Sequence, residues 1–211
     1  TLLAAVLCVA ASLAHASPAL LRSAEQGDLA GVQHQLRSGA AVDTRDARQR
    51  TPLLLATWAN HPAVAQALIA AGADVNAKDD QQDSPYLVAG AHGRTEILKM
   101  TLAHGADLRS TNRYGGTALI PASEKGHPEA VRLLIQAGAD VDFVNNLGWT
   151  SLLEVVILGQ DTAVYQDITR QLIAAKANVN LPDKNGVTAL QHARQRGLTQ
   201  IAALLVQAGA R

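Results

Sequence analysis

Residues 51–56 read TPLLLA, and this hexapeptide is the strongest indication of the fold because the chain returns to its pattern four more times. A hydroxyl residue begins each copy, at Thr51, Ser84, Thr117, Thr150 and Thr188, and a large apolar or aromatic residue follows two positions later. Successive copies lie 33 residues apart, except for the last two, which are 38 apart. A period of this length indicates a repeat protein in which each unit buries its apolar side against its neighbours.

The segment 46–78 shows how one repeat is expected to fold. Thr51 suits an N-cap, because its hydroxyl can accept a hydrogen bond from the first helical turn, and Pro52 suits the N1 position. Asn60 tolerates the left-handed conformation that ends a first helix, and Gly72 ends a second one. The place of Asn60 is taken in later repeats by Gly93, Gly126, Gly159 and Gly197. Each repeat is therefore predicted to be a pair of short helices.

A second phrase recurs some twenty residues after the first, as GADVN at 72–76, GADLR at 105–109, GADVD at 138–142 and KANVN at 176–180. Together the two phrases resemble the ankyrin-repeat family. The resemblance covers roughly residues 20–211 and depends on several positions that recur at one interval. It implies an all-α solenoid of about six stacked helix-turn-helix repeats, with short β-hairpin or turn fingers projecting between them.

The repeat domain is predicted to span residues 17–211. Its repeats are predicted at 20–45, 46–78, 79–111, 112–144, 145–182 and 183–211. The first and last carry many polar residues, as capping repeats must. The fifth has five extra residues within about 160–166, and these either lengthen both of its helices, form a small knob carrying Tyr165, or are a tolerated surface insertion.

Several positions depart from the family's pattern. Gln49 and Gln82 replace a turn glycine, which costs about 1 kcal/mol each if the position needs positive φ. Lys176 replaces a capping glycine, and Tyr86 replaces a core leucine. The histidine that the family places after the first leucine is absent from every repeat, so we expect these stacks to rely more on apolar packing.

The first sixteen residues, TLLAAVLCVAASLAHA, carry no Asp, Glu, Lys or Arg and end in Ala14-His15-Ala16. An apolar stretch before an A-x-A site is typical of a secretory signal peptide, and this one is too short to span a bilayer. We interpret residues 1–16 as the remainder of such a signal, cleaved after Ala16; the alternative is an N-terminal capping helix. Cleavage would remove Cys8 and leave a mature chain without disulfides or a membrane anchor, in the periplasm or secreted from a bacterium.

No pattern of a catalytic, metal or cofactor site occurs in the sequence. The seven histidines are dispersed, and no metalloprotease, Cys-x-x-Cys, nucleophile-elbow or phosphate-loop motif is present. His61 and His127 occupy one repeat position, which indicates a structural role. Lys and Arg number 18 and Asp and Glu also 18, so the balance of charge gives no reason to expect a nucleic acid partner. We therefore predict no enzymatic activity and no cofactor.

The resemblance implies a concave binding surface made by the finger tips and the exposed side of the first helices. Of the residues that map to it, fourteen are our candidate contacts: Arg48, Arg50, Trp58, Asp80, Asp83, His92, Arg113, Tyr114, Lys125, Leu147, Trp149, Ile157, Leu158 and Arg196. Both tryptophans of the chain are among them, and such residues dominate interface energies. An apolar patch is predicted at the C-terminal end of this surface, formed by Leu147, Trp149, Ile157 and Leu158. The alternative is that Trp149 packs on the next hairpin and the insertion buries Ile157 and Leu158.

The sequence therefore favours a monomeric, non-enzymatic module that binds a still unidentified protein in the bacterial periplasm, with a stress-defence enzyme as one class of partner. A first alternative is a secreted effector that uses the same surface inside a host cell. A second alternative, from a different class, is an enzyme or a metal-binding protein.

Overall fold

A computed structural model describes residues 17–211, which form six helix pairs stacked in the order of the chain. The helices, numbered α1–α12, are Pro18–Gln26, Leu29–Arg37, Pro52–Trp58, Pro62–Ala70, Pro85–Ala91, Thr95–Ala103, Leu119–Glu124, Pro128–Gln136, Ser151–Leu158, Ala163–Ala174, Ala189–Gln195 and Thr199–Gln207. The predicted signal segment, residues 1–16, lies outside the described residues. None of α1–α12 has the length and apolar character that a membrane span requires.

The stacking confirms the predicted all-α solenoid. Odd-numbered helices contact one another in sequence, from α1 to α11, and even-numbered helices form a second layer from α2 to α12. Each predicted repeat contains one helix pair, although α1 begins at Pro18, two residues before the predicted start of the first repeat. The apolar residues of all six pairs form one continuous core.

The recurring large residue of the first phrase lies at the centre of this core. Its side chain is at most 2 % exposed in every repeat that carries the phrase, at Leu53, Tyr86, Leu119, Leu152 and Leu190. Removing a side chain of this size from water stabilises the fold by about 1.5–3 kcal/mol. Tyr86 fills the place of a leucine, but its buried hydroxyl has no hydrogen-bond partner among the described residues.

The hydroxyl residue of the first phrase caps the helix that follows in four of five repeats. Thr51, Ser84, Thr150 and Thr188 each accept a hydrogen bond from the backbone N–H three residues later. Thr117 does not, because Pro121 has no N–H to give to the Thr117 carbonyl. The N–H of Ile120 bonds to that carbonyl instead, at 3.2 Å, and the Thr117 hydroxyl finds no partner in the described part of the chain.

The fingers are single tight turns, and each is built on one side-chain oxygen. Asp79 Oδ1 accepts hydrogen bonds from the backbone N–H groups of Gln81 at 2.8 Å and Asp83 at 2.9 Å. The same arrangement recurs at Asp46, Asn112, Asn145 and Asp183. This repeated Asp or Asn was not among the predicted positions. Between residues 17 and 211 the only β-bridge joins Pro182 and Thr188, on either side of the turn built on Asp183.

The left-handed positions largely agree with the sequence prediction. Asn60 has φ 59°, and Gln49 and Gln82 adopt φ 61° and 62°, so the turns keep their shape in spite of the missing glycines. The prediction for Gly159 was wrong: its φ of −74° and ψ of −171° are those of extended backbone. The insertion explains this, because the chain must continue outward after α9 instead of turning directly into the next helix.

The insertion lengthens both helices of the fifth repeat. Helix α10 has 12 residues, whereas the other second-layer helices have nine. Helix α9 has eight, against six or seven in α3, α5, α7 and α11. The inserted Asp161 caps the start of α12, since its carboxylate accepts hydrogen bonds from the N–H groups of Gln200 and Ile201 at 2.8 and 3.2 Å. Tyr165 donates to the Glu124 carbonyl at 2.8 Å. The added residues therefore join the fifth repeat to both of its neighbours.

The strained turns offer a direct test of the repeat geometry. We expect the double variant Gln49→Gly/Gln82→Gly to raise the free energy of unfolding by about 1 kcal/mol. Relief of about 1–2 kcal/mol of left-handed strain per site exceeds the entropy that each glycine adds to the unfolded chain, about 0.4–1 kcal/mol. Urea unfolding followed by circular dichroism measures the change.

The matched control is Gln81→Gly, an exposed finger residue outside the positive-φ positions. It gains nothing from glycine and should unfold at the same or a slightly lower urea concentration than the parent protein. A double variant no more stable than this control would contradict the strain assigned to Gln49 and Gln82.

Candidate protein-binding surface

The fingers and the first-layer helices together form a surface that we call the finger face. It contains two adjoining grooves. The central groove encloses about 600 Å³ and is lined by Arg48, Arg50, Trp58, Asp79, Gln81, Asp83, Leu87, Val88, Ala91, His92, Asn112, Arg113, Tyr114, Pro121, Glu124 and Lys125. The C-terminal groove encloses about 260 Å³ and is lined by Asn112, Tyr114, Gly116, Ile120, Pro121, Glu124, Asn145, Leu147, Trp149, Glu154 and Leu158.

The structure brings eleven of the fourteen predicted residues to these grooves. The central groove contains Arg48, Arg50, Trp58, Asp83, His92, Arg113, Tyr114 and Lys125. The C-terminal groove contains Tyr114 again, with Leu147, Trp149 and Leu158. The remaining three, Asp80, Ile157 and Arg196, line neither groove.

Two of these three residues, Arg196 and Ile157, use their side chains in contacts within the protein. Arg196 Nη1 donates hydrogen bonds to the carbonyls of Val156 and Gly159, both at 2.9 Å, and so holds the end of α9 against α11. Ile157 is partly buried and packs on the core. Their binding roles remain predictions.

An aromatic pair lies in the central groove. The ring of His92 meets the indole of Trp58 edge to face, with 4.7 Å between ring centroids, and Trp58 keeps 39 % of its surface exposed. Burial, assisted by the charge of Lys125, lowers the pKa of His92 to about 4. The imidazole is therefore neutral at pH 7, and its Nε2 can accept the hydrogen bond from Lys125 Nζ at 3.5 Å.

Oppositely charged groups face one another along this groove. Arg50 pairs with Asp46 of its own finger at 2.7 Å, and Arg113 reaches Asp83 of the preceding finger at 3.7 Å. The guanidinium of Arg113 also lies over the ring of Tyr114, 4.9 Å from its centroid, which is a cation–π contact. These pairs are exposed or half-buried, so each contributes at most about 1 kcal/mol to stability, and their main effect is to orient the groove walls.

Backbone carbonyls of the fingers are tied to basic side chains of neighbouring repeats. Arg45 donates to the carbonyl of Lys78 at 2.7 Å, and Lys78 donates to that of Thr111 at 2.7 Å. Lys184, at a different position of its repeat, donates to the carbonyl of Asn146 in the preceding finger. These contacts hold the fingers in place before any partner arrives, which reduces the ordering cost of binding.

The C-terminal groove has exposed apolar walls. Tyr114, Leu147 and Leu158 are 56 %, 49 % and 48 % exposed, so the insertion does not bury Leu158, contrary to the alternative raised by the sequence. Trp149 is half-buried and packs against the core while it still lines the groove. An exposed apolar cluster of this kind marks a site of interaction.

A buried carboxyl group, Glu154, lies beside these apolar walls and was missed by the sequence analysis. Its side chain is 4 % exposed, its Oε1 accepts a hydrogen bond from Asn145 Nδ2 at 2.9 Å, and its Oε2 has no partner among residues 17–211. Burial, together with the charge of Glu124, raises the pKa of Glu154 to about 7. The signal in the sequence was a single glutamate within the apolar helix SLLEVVIL at 151–158.

Metal binding finds no support within residues 17–211, where no three His, Cys, Asp or Glu side chains come together as ligands. The recurring aspartates of the second phrase serve turns instead. Asp74 Oδ1, for example, accepts a hydrogen bond from the Asn76 N–H at 2.8 Å.

Comparison with known families agrees with this architecture. A model of ankyrin repeats in three copies matches residues 86–166, and a model of the single ankyrin repeat matches residues 48–80. The chain belongs to the ankyrin-repeat family, whose fold is one of protein–protein interaction. Comparison with curated proteins gives no match.

Solved structures of ankyrin repeats resemble the whole described domain. An ankyrin repeat domain from Acinetobacter baumannii AYE is 57 % identical, with a TM-score of 0.88 over 91 % of this chain and 98 % of that one. The ankyrin repeat protein EF0377 is 45 % identical, with a TM-score of 0.86 over 90 % and 96 %. The ankyrin repeat domain of Bcl-3, a member of the IkappaB family, is 30 % identical, with a TM-score of 0.81 over 92 % and 87 %.

The raised pKa of Glu154 makes stability depend on pH in a defined direction. Neutral Glu154 contributes its full stability below about pH 4.5, where the folded and unfolded chains both hold the proton. Between about pH 4.5 and 7 only the folded protein holds it, so this contribution falls across the interval and is lost above about pH 7. Glu154→Gln keeps the acceptor for Asn145 and stays neutral. We expect it to be more stable than the parent at pH 8 by about 1–3 kcal/mol, and about equally stable at pH 4.5.

Urea unfolding at both pH values measures this difference. Glu129→Gln is the control, because that carboxylate is exposed on α8 and pairs with Arg132, and its removal brings no gain at pH 8. A stability difference between Glu154→Gln and the parent that is the same at pH 4.5 and pH 8 would show that Glu154 does not titrate in this range.

Proposed function

We propose that this chain is a non-enzymatic binding module that holds one partner protein along its finger face. The observation that carries the proposal is the junction of the two grooves at Tyr114, which lines both. A partner that follows the finger face would meet Trp58 in the central groove, Tyr114 at the junction and Trp149 beyond it. Aromatic residues in such clefts supply most of the energy of protein interfaces.

The charges of the finger face favour a protein over a strongly charged polymer. The central groove mixes four cations with three carboxylates, and two of its arginines already pair with aspartates. A nucleic acid would require a surface of predominantly positive charge. A folded protein or a peptide with both apolar and charged groups matches the mixture better.

Removing the aromatic side chains should abolish binding. We expect the variant Trp58→Ala/Tyr114→Ala/Trp149→Ala to retain less than a tenth of the partner that the parent recovers from periplasmic extract, because truncating a single hot-spot residue costs more than about 2 kcal/mol. Quantitative mass spectrometry of chemically cross-linked material identifies the partner and measures recovery.

The control is Val164→Ala/Val206→Ala, which removes two exposed apolar side chains that do not line the grooves. It should recover the partner as the parent does. Since Trp149 packs on the core, circular dichroism must first show that the triple variant is folded. Equal recovery by a folded triple variant and the parent would overturn the assignment of the finger face.

We further propose that the module works in the bacterial periplasm, where a stress-defence enzyme is one class of partner. The support is the sequence of residues 1–16, an apolar stretch that ends in an A-x-A site. A tag at the C-terminus allows the protein to be followed in fractionated cells. We expect it in the periplasmic fraction with a mature N-terminus at Ser17.

Recovery mainly from the culture medium would favour the alternative of a host-directed effector. Recovery from the cytoplasm with residues 1–16 still attached would contradict export altogether.

A further inference from the structure

The C-terminal groove joins apolar walls to two carboxyl groups. Glu154 lies at its base, 4 % exposed, and Glu124, at the end of α7, lines the same groove and is partly exposed. The walls are Tyr114, Leu147 and Leu158, each with about half of its surface exposed. Its walls can contact an apolar stem of a ligand while the two carboxyl groups bind a positive charge at the end of that stem.

One carboxyl oxygen of Glu154 receives no hydrogen bond from the described part of the protein. Asn145 bonds to Oε1, but Oε2 is buried without a hydrogen-bond donor in the described residues. A buried acceptor without a donor destabilises the folded protein, and more so if it is charged. The raised pKa of Glu154 agrees with this. Burial disfavours the ionised carboxylate, and the negative charge of nearby Glu124 disfavours it further.

We propose that the C-terminal groove receives an arginine side chain of the partner, with the guanidinium beside Glu124 and Glu154 and its alkyl stem against the apolar walls. The inference rests on the proposed function, which it deepens by naming the chemistry that the groove selects. The partner's cation stabilises the ionised form of Glu154 and supplies the positive charge that the lining of this groove lacks.

The aromatic wall favours arginine over lysine. A guanidinium is planar, stacks on aromatic rings and is less strongly hydrated than an ammonium group. Tyr114 already has one guanidinium over its ring, that of Arg113, at 4.9 Å. Trp149, whose indole is the best acceptor of cation–π contacts among the side chains, lines the same groove.

Small probes test the chemistry without the natural partner. Butylguanidinium carries the cation and the stem, butylurea is its neutral isostere, and butylammonium replaces the guanidinium by an amine. Proton–nitrogen NMR spectra follow the indole N–H signals of Trp149 in the C-terminal groove and of Trp58 in the central groove, assigned through Trp58→Phe. The Trp58 signal reports on binding elsewhere.

We expect butylguanidinium to shift the Trp149 signal in a saturable way, with at least fivefold higher affinity than butylurea and at least twofold higher affinity than butylammonium. Glu154→Gln and Glu124→Gln should each weaken butylguanidinium binding at least threefold. Glu129→Gln, which removes a carboxylate outside both grooves, should leave it unchanged. Glu124→Gln keeps the test decisive if Glu154→Gln alters the fold.

Three results would overturn the inference. Equal affinity for butylguanidinium and butylurea would show that the groove recognises only the stem. Equal affinity for the guanidinium and the ammonium probe would remove the assignment to arginine. Unchanged binding in both glutamine variants would show that the two carboxylates do not hold the cation.

The outcomes for the inference and for the proposed function are separable. Loss of the partner from the triple aromatic variant, with no guanidinium binding to the parent, leaves the finger face as the binding site and removes the arginine. Guanidinium binding that follows the expected pattern, with full partner recovery by the triple variant, removes the finger face as the site of that partner.

Discussion

Everything in this structure depends on the burial of one apolar side of each helix pair against the pair before and after it. Leu53, Tyr86 and Leu119 mark this contact in successive repeats, and all three are fully buried. Because no repeat can bury its apolar side alone, the array is stable only as a stack. Stacking also places the turns in a row, and this row forms the finger face together with the first-layer helices.

The row of turns suits the proposed binding role because its backbone is held from within. One Asp or Asn oxygen closes each finger, and basic side chains such as Arg45 and Lys78 join one finger to the next. The side chains left over, among them Trp58 and Tyr114, project from a frame that needs little further ordering. In the proposed function, therefore, the residues that hold the turns in place are not the residues that contact the partner.

Glu154 is the point at which the two requirements conflict. A carboxyl group inside an apolar helix weakens the stack at neutral pH, whereas a glutamine there would keep the hydrogen bond to Asn145 without the charge. Groups that reduce stability without a structural benefit are characteristic of functional sites. Its position beside exposed apolar walls, next to Glu124, is the physical basis for assigning a cationic ligand to this groove.

The helix pairs and their number were predictable from a periodic burial pattern and from residues such as Asn60 that tolerate left-handed backbone, and the resemblance to ankyrin repeats implied the solenoid and its row of fingers. Three properties became visible only in the folded stack: which finger-face residues share a groove, the hydrogen bonds of Arg196 to the end of α9, and the missing cap at Thr117. The repeat pattern also did not predict that Gly159 has extended backbone, or that one oxygen of Glu154 is buried without a hydrogen-bond donor from the described residues. These properties depend on contacts between neighbouring repeats, where an insertion, a proline or a single charge changes what the next repeat can offer, and no pattern within one repeat records them.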